Sequence, residues 1–188
     1  MAIAINGSSN TITGLAVGGL PNGSITAADL ASGVGGKFAS YAIIGDVKAD
    51  DTDGGTFTSG DWRTRDLNTE LVDADGIVSI SSNQFTLQAG SYLIQAHAPA
   101  YRVNRHMTKL YQTSGTPADI AFGTSMYSQS SYNNHSVSSV RARVTISTAT
   151  TYEIRHQCEA THSTFGYGVG SNFGNTELYT VVQIFKES

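Results

Sequence analysis

At 188 residues, with 39% hydrophobic and only 14% charged residues and a formal net charge of −4, the chain suits one domain with an appendage. It carries no basic run, which argues against a nucleic-acid partner. Twenty glycines, three prolines and abundant Ser and Thr call for many turns and short strands, while plentiful Val, Ile, Tyr and Phe argue against disorder. The lone Cys158 excludes an intramolecular disulfide, and the start, Met1 to Gly7, lacks the basic region and long apolar run of a secretory signal. No stretch is long and apolar enough for a membrane-spanning helix. The expectation is a chain made in a cytoplasm that, if it works outside a cell, leaves by a route such as lysis.

Residues 1–37 differ from the rest. Ile3, Ile5, Ile12 and Leu15 sit among Gly, Ser, Asn and Thr, and Gly14, Gly18, Gly19 and Pro21-Asn22-Gly23 break any long element. Thr26 to Ala31 predicts one helical turn capped by Ser24 or Thr26, and Gly33 to Gly36 reads as a hinge. With too little apolar mass to fold alone, the segment reads as an arm or stalk ordered against another body.

From Phe38 onward, residues 38–188, the composition turns to strands. Tyr41 to Val47 is the first, followed by the polar turn Asp50 to Gly55. Ile77 to Ile80 and Gln84 to Leu87 are short strands joined through Ser81-Ser82-Asn83. Along Ser91 to Ala98, Tyr92, Ile94, Ala96 and Ala98 share one face. His106 to Tyr111 and Ile120 to Ser125 follow. Val137 to Ser147 sets Val140, Ala142, Val144 and Ile146 against Arg141, Arg143, Thr145 and Ser147. Thr151 to Cys158 sets Tyr152, Ile154, His156 and Cys158 against Glu153, Arg155 and Gln157. Tyr167 to Gly170 reads as a short glycine-rich strand. Such short strands with Gly/Ser/Asn turns and no crossover helices predict an all-β antiparallel sandwich or jelly roll.

The closing stretch, Leu178 to Phe185, is dense in β-branched and aromatic residues. Strict alternation points Tyr179, Val181 and Phe185 one way and Leu178, Val182 and Ile184 the other, both sets mostly apolar. A strand with one wet face would not read this way. It is expected to be covered on both sides, by its own core and by a second subunit.

In this order of features the chain resembles the trimeric jelly roll of the C1q/TNF superfamily: an early strand at Tyr41–Val47, the Phe85–Ile94 segment Phe-Thr-Leu-Gln-Ala-Gly-Ser-Tyr-Leu-Ile, and a closing apolar strand. More narrowly it resembles C1q-like heads of bacteriophage fibre proteins, through Trp62 to Thr69, Tyr101 to His106 and Glu177 to Lys186. Leu20 to Leu30 is similar to phrases that precede the head in phage tail-fibre proteins. The resemblance implies a homotrimer with the closing strand near the threefold axis, and an arm, residues 1–37, that docks on other virion proteins. It implies a virion location, on the tail or the capsid exterior.

Binding candidates are the Tyr/Ser/Asn-rich loop carrying Tyr127, Tyr132, Asn133, Asn134 and His135, and the loop carrying His162 and Phe165, compositions that suit contact with a host-surface glycan or protein. A solvated loop is the plain alternative. Trp62 with Arg63, Arg65, Asp66 and Glu70 reads either as a sugar shelf or as a packed tryptophan among ion pairs, the second preferred. No His/Cys spacing predicts a metal, and His156 and Cys158 read as a hydrogen-bonded imidazole and a core thiol. Asp50, Asp51 and Asp53 invite calcium, but their spacing is not that of an EF-hand and turn chemistry accounts for them. No nucleophile elbow or phosphate-binding loop is present, so no enzyme and no cofactor is expected. The expected function is a phage fibre, a tail fibre, whose head binds a host receptor; the alternative is a structural virion component such as a capsid decoration or baseplate protein.

Overall fold

The computed structural model describes residues 4–6, 11–13 and 37–187. The chain divides into two units, Met1–Lys37 and Phe38–Ser188. In the first, β1 (Ala4–Asn6) pairs antiparallel with β2 (Thr11–Thr13), Ile5 opposite Ile12. The helical turn expected at residues 26–31 and the hinge at 33–36 lie outside the described residues.

The second unit is all strand among the described residues: β3 (Phe38–Lys48), β4 (Arg63–Thr64), β5 (Thr69–Val72), β6 (Val78–Ser81), β7 (Gln84–Leu87), β8 (Gly90–Tyr101), β9 (Asn104–Gln112), β10 (Ala118–Phe122), β11 (Met126–Ser128), β12 (His135–Ile146), β13 (Thr150–Cys158) and β14 (Glu177–Glu187). One antiparallel sheet has the order β12-β8-β14-β3-β5; the other runs β10-β9-β13-β7-β6, with β11 also on β9 and β4 also on β13. The β6–β7 hairpin turns on Ser82 and Asn83, both at positive φ, the two-residue geometry whose twist matches that of the flanking strands.

The core lies between the sheets. Ile44, Ile94, Val182 and Ile184 from the first meet Phe85, Leu87, Leu110 and Ile154 from the second, all fully buried. The alternation read along Ser91–Ala98, Val137–Ser147 and Thr151–Cys158 holds, with Tyr92, Ile94, Ala96, Ala98, Val140, Val144, Tyr152, Ile154, His156 and Cys158 all buried.

The closing strand differs from strict alternation. Its register on β3 shifts between Leu178 and Val181, so that Tyr179 and Thr180 together stand opposite the single residue Asp46. A bulge of this kind adds one residue to one strand and reverses the alternation beyond it. Tyr179 therefore turns inward with Thr180, Val182 and Ile184, while Leu178, expected with Val182 and Ile184, turns outward with Val181 and Phe185 and is 48% exposed.

Residues 167–170 are not a strand. Gly168 sits at φ +137 with the Tyr179 ring where a Cβ would stand, and its amide closes a turn on the Phe165 carbonyl. This turn instead packs on residues 54–57, through Gly54 N to Gly168 O and Tyr167 N to Gly55 O.

The ladders fix the two ends of the head. Phe38 pairs with Glu187 and Tyr92 with Lys186 at one end, whereas Lys48 pairs with Glu177 and His97 with Val181 toward the other. The head is thus entered and left at one end. The β8–β9 turn and the segments 129–134 and 159–176 lie at the opposite end.

Candidate functional site

The loop end is built around Tyr101, the last residue of β8. The chain turns there without Gly or Pro, using positive φ at Arg102 and Asn104. Such angles are costly for non-glycine residues and persist where the surroundings enforce them. Here Arg102 N donates to Ser128 Oγ at 2.6 Å, and Asn104 Oδ1 accepts from Ser130 N at 2.8 Å. Tyr101 is itself only 8% exposed. Its ring meets the edges of His135 at 4.8 Å, His162 at 5.5 Å and Phe165 at 6.1 Å between centroids, and its hydroxyl donates to Asn133 Oδ1 at 2.9 Å. Two loops read from the sequence as separate binding candidates thus meet on one buried ring.

Arg102 brings a full positive charge to the cluster. Its guanidinium lies 5.9 Å from the Tyr101 ring centre, and Nε donates to the Ser130 carbonyl at 2.9 Å. Nη1 reaches Asn133 Oδ1 at 3.5 Å, the limit of a hydrogen bond. Burial lowers the pKa of His135, and burial together with the Arg102 charge lowers that of His162. Phe165 N donates to His162 Nδ1, which places the proton of the neutral ring on Nε2, facing away from that bond. The cluster offers aromatic faces and edges, an amide and one cation.

The remaining candidates do not join it. Tyr132 caps the 129–134 turn at 65% exposure, its amide bonded to Gln129 O. Asn134 keeps its side-chain Oδ1 buried without a partner while its carbonyl accepts from Ser128 Oγ. Tyr127, 53% exposed, stands opposite Arg105 on β9, beside a groove of about 370 Å³ whose walls include Met107, Met126 and the Arg105–Glu159 ion pair.

Beneath the loop end lies a buried polar layer that the sequence did not expose. Arg65 is 1% exposed; its Nε donates to Thr180 Oγ1 at 2.7 Å, its Nη atoms reach the Pro99 and Tyr167 carbonyls, and it stacks over Tyr167 at 4.0 Å. Burial lowers its pKa to about 10. Arg65 is therefore a structural member of the layer, not part of a sugar shelf. Trp62 packs instead against Lys109, 4.3 Å from its ring, and Phe122.

Ser136, His106 and His156 form a chain, Oγ to Nε2 at 2.6 Å and Nδ1 to Nε2 at 2.9 Å, with the order of a nucleophile, a base and an orienting group. Burial and the Arg65 charge lower the His106 pKa to about 4, and burial with the Arg65 and His106 charges lowers that of His156 well below its ordinary value. A general base must become imidazolium in the transition state, and this surrounding opposes that. Cys158 is equally unsuited to nucleophilic work, since burial pushes its thiol up to about 12.

The aspartates read as turn chemistry do hold loops: Asp53 Oδ1 accepts from Gly170 N and Asp50 Oδ1 from Gly174 N. Glu177 joins them, taking the amides of Ser171 and Asn172 and the Ser171 hydroxyl, and those bonds lower its pKa. Among the described residues no group of three or more His, Cys, Asp or Glu side chains is placed to hold a metal ion.

A second surface lies on the outer face of the sheet β12-β8-β14-β3-β5. Register aligns Tyr41, Phe185 and Leu93 in one row, Ile43, Gln183 and Gln95 in the next, and Gly45, Val181 and His97 in a third. Phe38 packs on Phe185 at 5.3 Å, and a Leu178 methyl lies over Gly45 close to Leu71. Phe38, Tyr41, Leu71 and Leu178 are each 42–53% exposed, so the face carries large exposed apolar side chains at both ends with Gln183, Gln95 and His97 among them, a surface able to serve as an interaction site.

No protein-family model and no curated protein matches the chain. Among solved structures it is similar to an Eiger TNF from S. frugiperda, with TM-score 0.53 and 12% identity over 81% of this chain and 94% of that one. Murine APRIL gives TM-score 0.50 and 6% identity over 78% and 98%. The globular domain of zebrafish complement 1qA gives TM-score 0.47 and 20% identity over 80% and 97%. At these identities the likeness is one of fold: residues 38–188 form an antiparallel jelly roll of the C1q/TNF type.

Proposed function

We propose that the protein is a bacteriophage virion fibre, a tail fibre, whose head forms a homotrimer and binds a host-surface receptor without catalysis, metal or cofactor. The observation that carries this reading is the placement of the aromatic and histidine cluster around Tyr101 at the end of the head opposite Phe38, where the preceding residues enter. A fibre needs its binding loops away from its attachment. The apolar outer face of the first sheet supports self-association, since each large side chain covered there gains roughly 1.5–3 kcal/mol. Three copies then present three sites, so each can be weak. Residues 1–37 dock on other virion proteins, and the receptor is a cell-surface glycan or protein.

Fluorescently labelled full chain is expected to decorate bacteria susceptible to the phage that carries it. Phe165→Ala with His162→Ala, two half-buried loop residues, should lower that binding by about tenfold or more, with the melting temperature little changed. Absence of binding to every susceptible strain, with the chain firmly retained on particles, would replace receptor binding by a structural role in capsid or baseplate.

A further inference from the structure

We infer that the ligand of the Tyr101 cluster is a carboxylate-bearing saccharide, held by the Arg102 guanidinium; this rests on the receptor-binding reading above. At this end of the head Arg105 is paired with Glu159, and Lys48 with Asp46 and Asp66. Arg102 has only neutral oxygens, the Ser130 carbonyl and Asn133 Oδ1, and among the described residues Nη2 has no acceptor. A guanidinium fixed at one edge, with its other edge unpaired, is the half of a fork that a planar carboxylate completes with two parallel hydrogen bonds.

The neighbours of Arg102 fit the remainder of a sugar. Phe165 and His162 are half-buried with centroids 5.5 Å apart, giving an apolar surface of ring size, and Asn133 turns its Oδ1 to Tyr101, leaving its amide nitrogen to donate outward. The ionisable side chains facing the cluster are Arg102, His135, His162 and Tyr101 itself; the nearby carboxylate of Glu159 is engaged by Arg105. In a chain of net charge −4 this corner therefore carries positive charge. Protonation of His135 adds to it, whereas His162 accepts the Phe165 amide at Nδ1 and stays neutral. Burial holds the His135 imidazole below its ordinary value in the free protein, and a bound carboxylate favours its protonated form, so affinity rises as pH falls. A single fork beside neutral rings suits one negative charge, hence a carboxylate rather than a phosphate.

The test is titration of the full chain with oligogalacturonate and with its fully methyl-esterified form, which keeps the sugar backbone and removes the charge. Oligogalacturonate should bind about tenfold or more tightly than the ester, and more tightly at pH 5.5 than at pH 7.5. Arg102→Gln should erase the preference, Arg102→Lys should restore part of it, and His135→Gln should flatten the pH dependence. Equal binding of the two forms, unchanged binding by Arg102→Gln in a chain of unchanged melting temperature, or tighter binding of a phosphorylated oligosaccharide overturns the assignment. If neither sugar binds but labelled chain still decorates susceptible cells, the carboxylate assignment falls and the receptor reading stands. If both fail, the receptor reading falls with it.

Discussion

Val182→Asp is expected to abolish the folded head, whereas Val181→Asp leaves a folded subunit that no longer self-associates. The two residues are neighbours on one strand, but Val182 is fully buried among Ile44, Ile94 and Ile184 while Val181 lies half-buried on the outer face between Gly45 and His97. A carboxylate at position 182 has no partner in the core, and the cost of several kcal/mol takes most of the roughly 5–15 kcal/mol that holds a domain together. At position 181 water still reaches the side chain of an isolated subunit, so its fold loses about 1 kcal/mol or less. In the proposed homotrimer, threefold symmetry would bring three such carboxylates together on this face. Near-ultraviolet circular dichroism separates the first effect and light scattering the second. A Val182→Asp chain with native dichroism would refute the placement of the core, and a Val181→Asp chain that keeps its assembly would refute the outer face as the contact.

Mild acid is expected to destabilise the head strongly. The His106 pKa falls from 6.5 to about 4 on folding, and that of His156 is also lowered well below its ordinary value, so unfolding takes up protons at intermediate pH. The stability tied to these imidazoles is fully present above about pH 6.5 and is lost as pH falls toward 4. From His106 alone the loss is about 2 kcal/mol at pH 5 and about 3 kcal/mol by pH 4. Asp46, whose pKa burial raises, acts in the opposite sense at the acid end. Urea midpoints between pH 7.5 and 4.5 measure the slope. His106→Gln should remove much of it, and an unchanged midpoint across that range would show that the pair is not buried neutral.

Both effects rest on residues of unequal visibility in the sequence. Val182 and Ile184 stood out because apolar β-branched residues at spacing two need no further context. Their neighbour Leu178 was misplaced because the bulge at Tyr179–Thr180 depends on Asp46 across the ladder, more than a hundred positions upstream, and nothing in the local composition marks it. Thr69–Val72 escaped notice as a strand because it is short, carries two exposed residues and sits at a sheet edge. Tyr167–Gly170 read as a strand because its glycines, required by close approach of the Tyr179 ring and by packing on residues 54–57, look like a weak alternation.

The candidate site divides in the same way. Asn133, His135, His162 and Phe165 were legible as polar-aromatic loop residues, but the ring that gathers them, Tyr101, lies at a strand end more than thirty residues from either loop's centre. One signal was present: a turn, Tyr101-Arg102-Val103-Asn104, without the Gly or Pro that tight turns favour, whose positive φ values are enforced by hydroxyl and amide contacts from the 128–130 segment. Arg65 was visible as a charge and invisible as a buried one, because its acceptors are backbone carbonyls and a threonine brought from Pro99, Tyr167 and Thr180.

The central claim is a self-associating head that lifts three copies of the Tyr101 cluster away from the particle. Static light scattering of the unmodified full chain at micromolar concentration tests it most directly. The account predicts a mass of three 19.8 kDa subunits, and a mass of one subunit would contradict it.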